Sequence, residues 1–164
     1  MLPRKQASEQ KDWLEALETI SERYPKDRLE RLIDETVSEV ARFCKGKRVA
    51  FGWSGGKDSL VLEHVMYRVG IRDCVFVMTN LEFPEFLQWV TDHMPWELEV
   101  INTGLDLSWL KKNSHMLFPK DAKTAAKWFK LVQHTGQDQY FKRYKLDILA
   151  VGRRRADGNY MGPK

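Results

Sequence analysis

The sequence predicts an α/β fold, a mostly parallel sheet with helices on both faces, preceded by an N-terminal helical extension. Three observations carry this. From Lys47 onward, four short β-branched and aromatic runs alternate with helical patterns, and strands alternating with helices imply βαβ crossovers and a sheet buried on both sides. Before Lys47, apolar residues recur at three- and four-residue steps, which is helical spacing. The length, 164 residues, corresponds to about one domain, and 43% hydrophobic with 12% aromatic residues is enough to close one core.

In chain order, Trp13, Leu14, Leu17 and Ile20 mark a first helix, and Leu29, Leu32, Ile33, Val37, Val40, Ala41 and Phe43 a second. Pro25 separates them, Asp27 is the candidate cap of the second, and Gly46 is its stop. The strand runs are 48–53, 73–79, 97–102 and 147–152, with helical patterns at about 58–69, 84–93, 105–113 and 122–144 between them. There is no internal repeat, low-complexity tract or linker. Residues 1–46 are therefore expected to form the helical extension and 47–164 the sheet domain. Ligands in open parallel sheets collect at the carboxyl ends of strands, which points to the segments after Trp53, Thr79, Asn102 and Gly152.

Composition narrows the class. The 27 basic and 23 acidic residues leave a net charge of +4, which favours anionic partners without naming one. The longest apolar runs fall far short of the roughly 20 residues of a membrane span, and Met1–Gln6 lacks a signal peptide's apolar stretch. Cys44 and Cys74 have no metal-site spacing and cannot hold a four-cysteine iron–sulfur cluster. A reducing cytoplasm is the expected compartment.

The most informative stretch is Ser54-Gly55-Gly56-Lys57-Asp58-Ser59, between the first strand and an amphipathic helix. Paired glycines let the backbone turn tightly and converge its N–H groups, and the helix start adds unpaired donors with partial positive charge. Ser54 and Ser59 add hydroxyls and Lys57 a full charge, so the segment reads as an anion cradle. A plain strand-to-helix turn would need none of these together. A Walker loop is excluded because Phe51 stands in place of its first glycine and Asp58 follows the lysine; the dinucleotide fingerprint fails because the nearest glycines are 52, 55 and 56.

At these residues the sequence resembles the PP-loop nucleotide-binding proteins, or N-type ATP pyrophosphatases, whose signature Ser-Gly-Gly-x-Asp-Ser is matched in full by Ser54–Ser59. The resemblance implies a Rossmann-like sheet of the HUP, or adenine nucleotide alpha hydrolase-like, type. It also implies ATP or a related adenylyl nucleotide held by its pyrophosphate with Mg²⁺, and adenylyl transfer to an unidentified acceptor. On this reading Ser54, Gly55, Gly56, Lys57 and Ser59 hold phosphate, Lys57 and Asp58 serve catalysis, and Asp58 orients the metal or caps the helix.

Two further segments resemble the branch containing phosphoadenosine phosphosulfate reductases and the small subunit of ATP sulfurylase. Thr79-Asn80-Leu81-Glu82-Phe83-Pro84-Glu85 is similar to its Asp-Thr-Gly-x-x-Phe-Pro-Glu-Thr segment, with Met78, Asn80 and Phe86 departing, and makes Thr79 a candidate nucleotide contact. Phe-Pro-Glu is also an ordinary helix start. Gly152-Arg153-Arg154-Arg155-Ala156-Asp157-Gly158 is similar to the branch's Gly-x-Arg-x-x-Glu-type loop, which implies that Arg153, Arg154 and Arg155 meet the anionic end. The branch's reductases work through a cysteine in a C-terminal Glu-Cys-Gly-Leu-His tail, and no cysteine follows Cys74 here. Thiol-dependent reduction is therefore not expected. The chain also ends before the final strand and acceptor region of the branch, so a form shortened at its C-terminus is expected.

The remaining signals are bland. His64, His93, His115 and His134 form no zinc pattern. Lys120–Lys145 interleaves basic residues with Trp128, Phe129, Tyr140 and Phe141, which either grips nucleic acid or is an amphipathic helix with aromatics in the core; the second is favoured. Two alternatives to the adenylyl-transfer reading stay open, a non-catalytic nucleotide-binding regulatory module and a nucleic-acid modification factor.

Overall fold

A computed structural model describes residues 10–153. Helices α1 (Gln10–Arg23) and α2 (Lys26–Cys44) lead into β1 (Val49–Gly52), α3 (Lys57–Val69), β2 (Cys74–Met78), α4 (Pro84–His93) and β3 (Leu98–Asn102). Then come α5 (Leu107–Lys112), a short 3₁₀ turn, α6 (Ala122–Phe129), a π-helical segment (Lys130–His134), α7 (Thr135–Arg143) and β4 (Ile148–Ala150). The predicted alternation of strands and helices is present, and all strand pairs are parallel in the order β3-β2-β1-β4. This is the Rossmann-like α/β fold. One expected helix, 122–144, is interrupted by the π segment.

Local chemistry explains the boundaries and one correction. Asp27 does not cap α2: Pro25, held at φ −60°, takes the N-cap position and its carbonyl accepts from Arg28 and Leu29. Asp27 falls in the first turn and pairs with Arg31 at 3.0 Å, where its charge still faces the positive helix end. Beyond Cys44, Gly46 adopts the left-handed φ of +73° that stops the helix.

Strand alternation divides the core into two layers. Val49, Phe51 and Trp53 point with Cys74 and Phe76 to the face covered by Met66 of α3 and Val90 of α4, with Val40 and Cys44 of α2 at its margin. Ala50, Val75 and Ile101 point to the other face, under Tyr140 of α7. The chain moves outward from β1 through β2 to β3, then returns to place β4 on the free side of β1. The carboxyl ends of β1 and β4 therefore form the topological switch point, where open parallel sheets leave a crevice. No described helix is long and apolar enough to cross a membrane.

Cys74 is buried at the start of β2. Burial pushes its thiol up to about 12, with Glu63, Glu97 and Asp73 adding repulsion. Tyr67 is likewise raised to about 12, by burial first and then by its hydrogen bond to Glu97. Above the ordinary thiol pKa the unfolded chain loses a proton that the native state keeps, so unfolding becomes easier as pH rises. The melting temperature is therefore expected to fall from about pH 9 upward. A Cys74→Ala variant should show a shallower decline across that range in a thermal-denaturation series; an unchanged slope would exclude the thiol as a source.

Candidate functional site

The loop leaving β1 is shaped by what surrounds it. Trp53, fully buried, donates its indole N–H to Glu63 at 2.7 Å and stacks on Trp89 of α4, with ring centroids 6.2 Å apart. Gly55 then turns at φ +68° directly against Trp89, where an added Cβ would lie 2.5 Å from the indole ring. The turn delivers Gly56 to the N-cap position of α3. Ser59, buried in the first turn, closes the loop: its hydroxyl donates to the Gly56 carbonyl at 2.8 Å and accepts from the Ser54 N–H at 3.1 Å. Among the described hydrogen bonds, none uses the backbone N–H of Gly56, Lys57 or Asp58. These donors, at the positive end of a 13-residue helix, are available to an anion.

A hollow of about 250 Å³ opens at the switch point. Ser54, Gly56, Lys57, Asp58 and Ser59 line one side, and Gly152 and Arg153 after β4 line another. The two loops touch, since a Cβ on Gly152 would stand 2.9 Å from the Asp58 carbonyl oxygen. Lys57 and Asp58 pair at 2.6 Å on the exposed rim, and Asp58 makes no side-chain cap, so its carboxylate is left at the mouth of the site. A larger hollow, about 720 Å³, lies at the amino ends of the strands among Lys47, Arg72, Glu97 and Tyr144, remote from the loop.

The structure thus gathers most of the predicted residues and redistributes others. Gly55 shapes the loop from behind rather than lining the hollow. Thr79 does not line it either: it is buried, with its hydroxyl and N–H bonded to the Glu82 carboxylate at 2.9–3.1 Å. Arg154 and Arg155 lie outside the described residues. Two site residues escaped sequence reasoning, Gln133 on the π segment and Gln137 on α7, both lining the hollow from the third side. Their only signal was an amide pair four residues apart in the helical stretch before the last strand. In that same stretch Tyr140 is core, Lys142 pairs with Asp138, and Arg143 with Glu99.

Over residues 48–161 the sequence matches the family described as the phosphoadenosine phosphosulfate reductase domain. The chain belongs to that family. It is therefore a member of the PP-loop, adenine nucleotide alpha hydrolase-like superfamily, and the match begins at β1 and takes in the loop and the Arg153 segment. A comparison with curated proteins finds no match.

As a phosphoadenosine phosphosulfate reductase-family domain, the chain offers no thiol at the hollow: Cys74 lies at the opposite end of its strand and Cys44 ends α2. Among the described residues no group of three or more His, Cys, Asp or Glu could hold a metal ion. A Mg²⁺ ion held mainly by phosphate oxygens would need only one or two protein carboxylates, and Asp58 is a carboxylate lining the hollow.

Contact between the two loops gives a direct test. Gly152→Ala puts a methyl group against backbone that cannot rotate away, so the Arg153 segment must shift from α3. Affinity for inorganic pyrophosphate should fall by roughly tenfold while adenosine affinity stays within twofold, as a charge-assisted contact is lost. Calorimetric titration of both ligands reads this out, and equal losses would mean that the two loops do not share one anion.

Proposed function

We propose that this protein binds ATP or a related adenylyl nucleotide with Mg²⁺ at the switch-point hollow and transfers the adenylyl group to an acceptor with release of pyrophosphate. The observation that carries the proposal is the intact Ser54–Ser59 loop, whose unengaged N–H groups, Lys57 and the facing Arg153 converge on one hollow. Donors converging on one point suit a leaving group that gains charge as it departs. An acceptor oxygen would attack the α-phosphorus, the bond to the bridging oxygen would break, and pyrophosphate would carry the electron pair into the cradle. Lys57 and Arg153 would neutralise it, and Asp58 would orient the metal, whose role is to offset phosphate charge. Positioning and charge stabilisation suffice for such a step, so no nucleophilic side chain is required.

Supplying Mg²⁺-ATP and assaying both product pairs in one reaction tests this. Pyrophosphate and AMP are expected, slowly in the absence of the acceptor, together with a rise in melting temperature on nucleotide binding. ADP with phosphate as the main products would overturn the mechanism. Absence of a thermal shift with ATP, AMP and phosphosulfate nucleotides alike would overturn the site.

A further inference from the structure

The wall of the hollow opposite the PP-loop comes from a helix with two irregularities. Gly136 of α7 is buried against β2, and a Cβ there would lie 2.5 Å and 2.9 Å from the two methyl groups of Val77. Only a residue without a side chain lets the helix backbone come this close to the sheet. One turn earlier the helix widens into the π segment, and the Thr135 hydroxyl takes up the Lys130 carbonyl at 2.8 Å. Single π turns within α-helices are frequent at functional sites, where they redirect side chains that a regular helix would send elsewhere. Here it brings Gln133 to the hollow beside Gln137.

Gln133 is already engaged there. Its side-chain carbonyl accepts from the Arg153 guanidinium at 2.6 Å, across 20 residues of sequence. The Arg153 charge also reaches the neighbouring His134, helping burial to hold that imidazole below its usual pKa. Arg153 is otherwise exposed, and an arginine with no partner spreads over many rotamers. A neutral amide oxygen fixes the guanidinium without cancelling its charge, which a carboxylate in the same place would do.

We propose that Gln133 is a positioning residue that aims Arg153 across the hollow at a bound diphosphate group and so sets the affinity of the site for that group. This deepens the phosphate-site reading given above and rests on it. The chemistry read by the pair is a dianionic or more highly charged phosphate or sulfate oxygen cluster, with Gln133 acting through Arg153 rather than on the nucleoside.

The test is a double-mutant cycle on the full chain, titrated with inorganic pyrophosphate and with adenosine. Gln133→Ala should weaken pyrophosphate binding by roughly tenfold and leave adenosine unchanged. In an Arg153→Ala background the same substitution should have no further effect. The near-isosteric Gln133→Glu keeps the contact but places an ionised carboxylate on the guanidinium, so at about pH 8 it should weaken pyrophosphate binding more than alanine does. A merely structural role would make alanine the worse of the two. Additive losses in the cycle, or a Gln133→Glu protein that binds pyrophosphate as well as the wild type, would overturn the proposal. Where the wild type binds pyrophosphate and Lys57→Ala weakens it, that result removes Gln133 alone. Where the wild type fails to bind pyrophosphate, the phosphate site itself falls, and this inference with it.

Discussion

Gly55→Val should abolish nucleotide binding and lower stability by several kcal/mol. Two separable costs act at this position. The backbone sits at φ +68°, in the left-handed region, where an L side chain costs roughly 1–2 kcal/mol and a β-branched one more. The Cβ would also lie 2.5 Å from the Trp89 ring. Trp89 cannot simply retreat, because it is stacked between Trp53 and His93 and beside Phe86, and overpacking of such a site typically costs a further 1–3 kcal/mol. If the loop moves instead, Gly56 leaves the N-cap position of α3 and the donors of the cradle diverge. Urea denaturation and an ATP thermal-shift titration measure the two consequences. Gly55→Ala combined with Trp89→Leu should recover the part due to the clash and leave the part due to φ. A Gly55→Val protein with wild-type stability and normal ATP binding would show that the loop is not the site.

That dependence on Trp89 also shows where sequence reasoning stops. The strand runs, the helix breaks at Pro25 and Gly46, and the cradle loop were legible because each is local, set by periodicity, by backbone stereochemistry or by six consecutive residues. Contacts that cross the sheet were not. Trp53 and Trp89 lie 36 residues apart in the sequence, yet their stacking decides why Gly55 must lack a side chain. Gln133 and Gln137 are two polar residues in a helical stretch with nothing in the sequence to single them out. A π turn and the close packing of Gly136 bring them to the hollow, and neither feature has a residue pattern of its own. The Thr79 segment resembles a nucleotide-binding one, and in the structure Glu82, three residues on, accepts hydrogen bonds from the Thr79 hydroxyl and amide.

Lys57→Ala should separate the phosphate from the nucleoside. The ammonium group stands on the rim of the hollow, 88% exposed, with Asp58 as its partner at 2.6 Å. Removing it does two things to an incoming anion: it deletes a charge-assisted donor, and it leaves the Asp58 carboxylate unneutralised beside the cradle. Both effects oppose phosphate and neither touches adenosine. Affinity for ATP and for inorganic pyrophosphate should therefore fall by roughly ten- to hundredfold, while adenosine changes by less than about threefold. Adding Asp58→Asn in the absence of Mg²⁺ should recover part of the pyrophosphate affinity, because it removes the exposed negative charge. With Mg²⁺ present the same addition should recover less, since the carboxylate proposed to orient the metal is lost with the repulsion. Titrations of single and double variants with and without Mg²⁺ resolve these contributions. Equal losses for ATP and adenosine in Lys57→Ala would place the lysine outside the phosphate site. The same recovery with and without metal would remove Asp58 from metal binding.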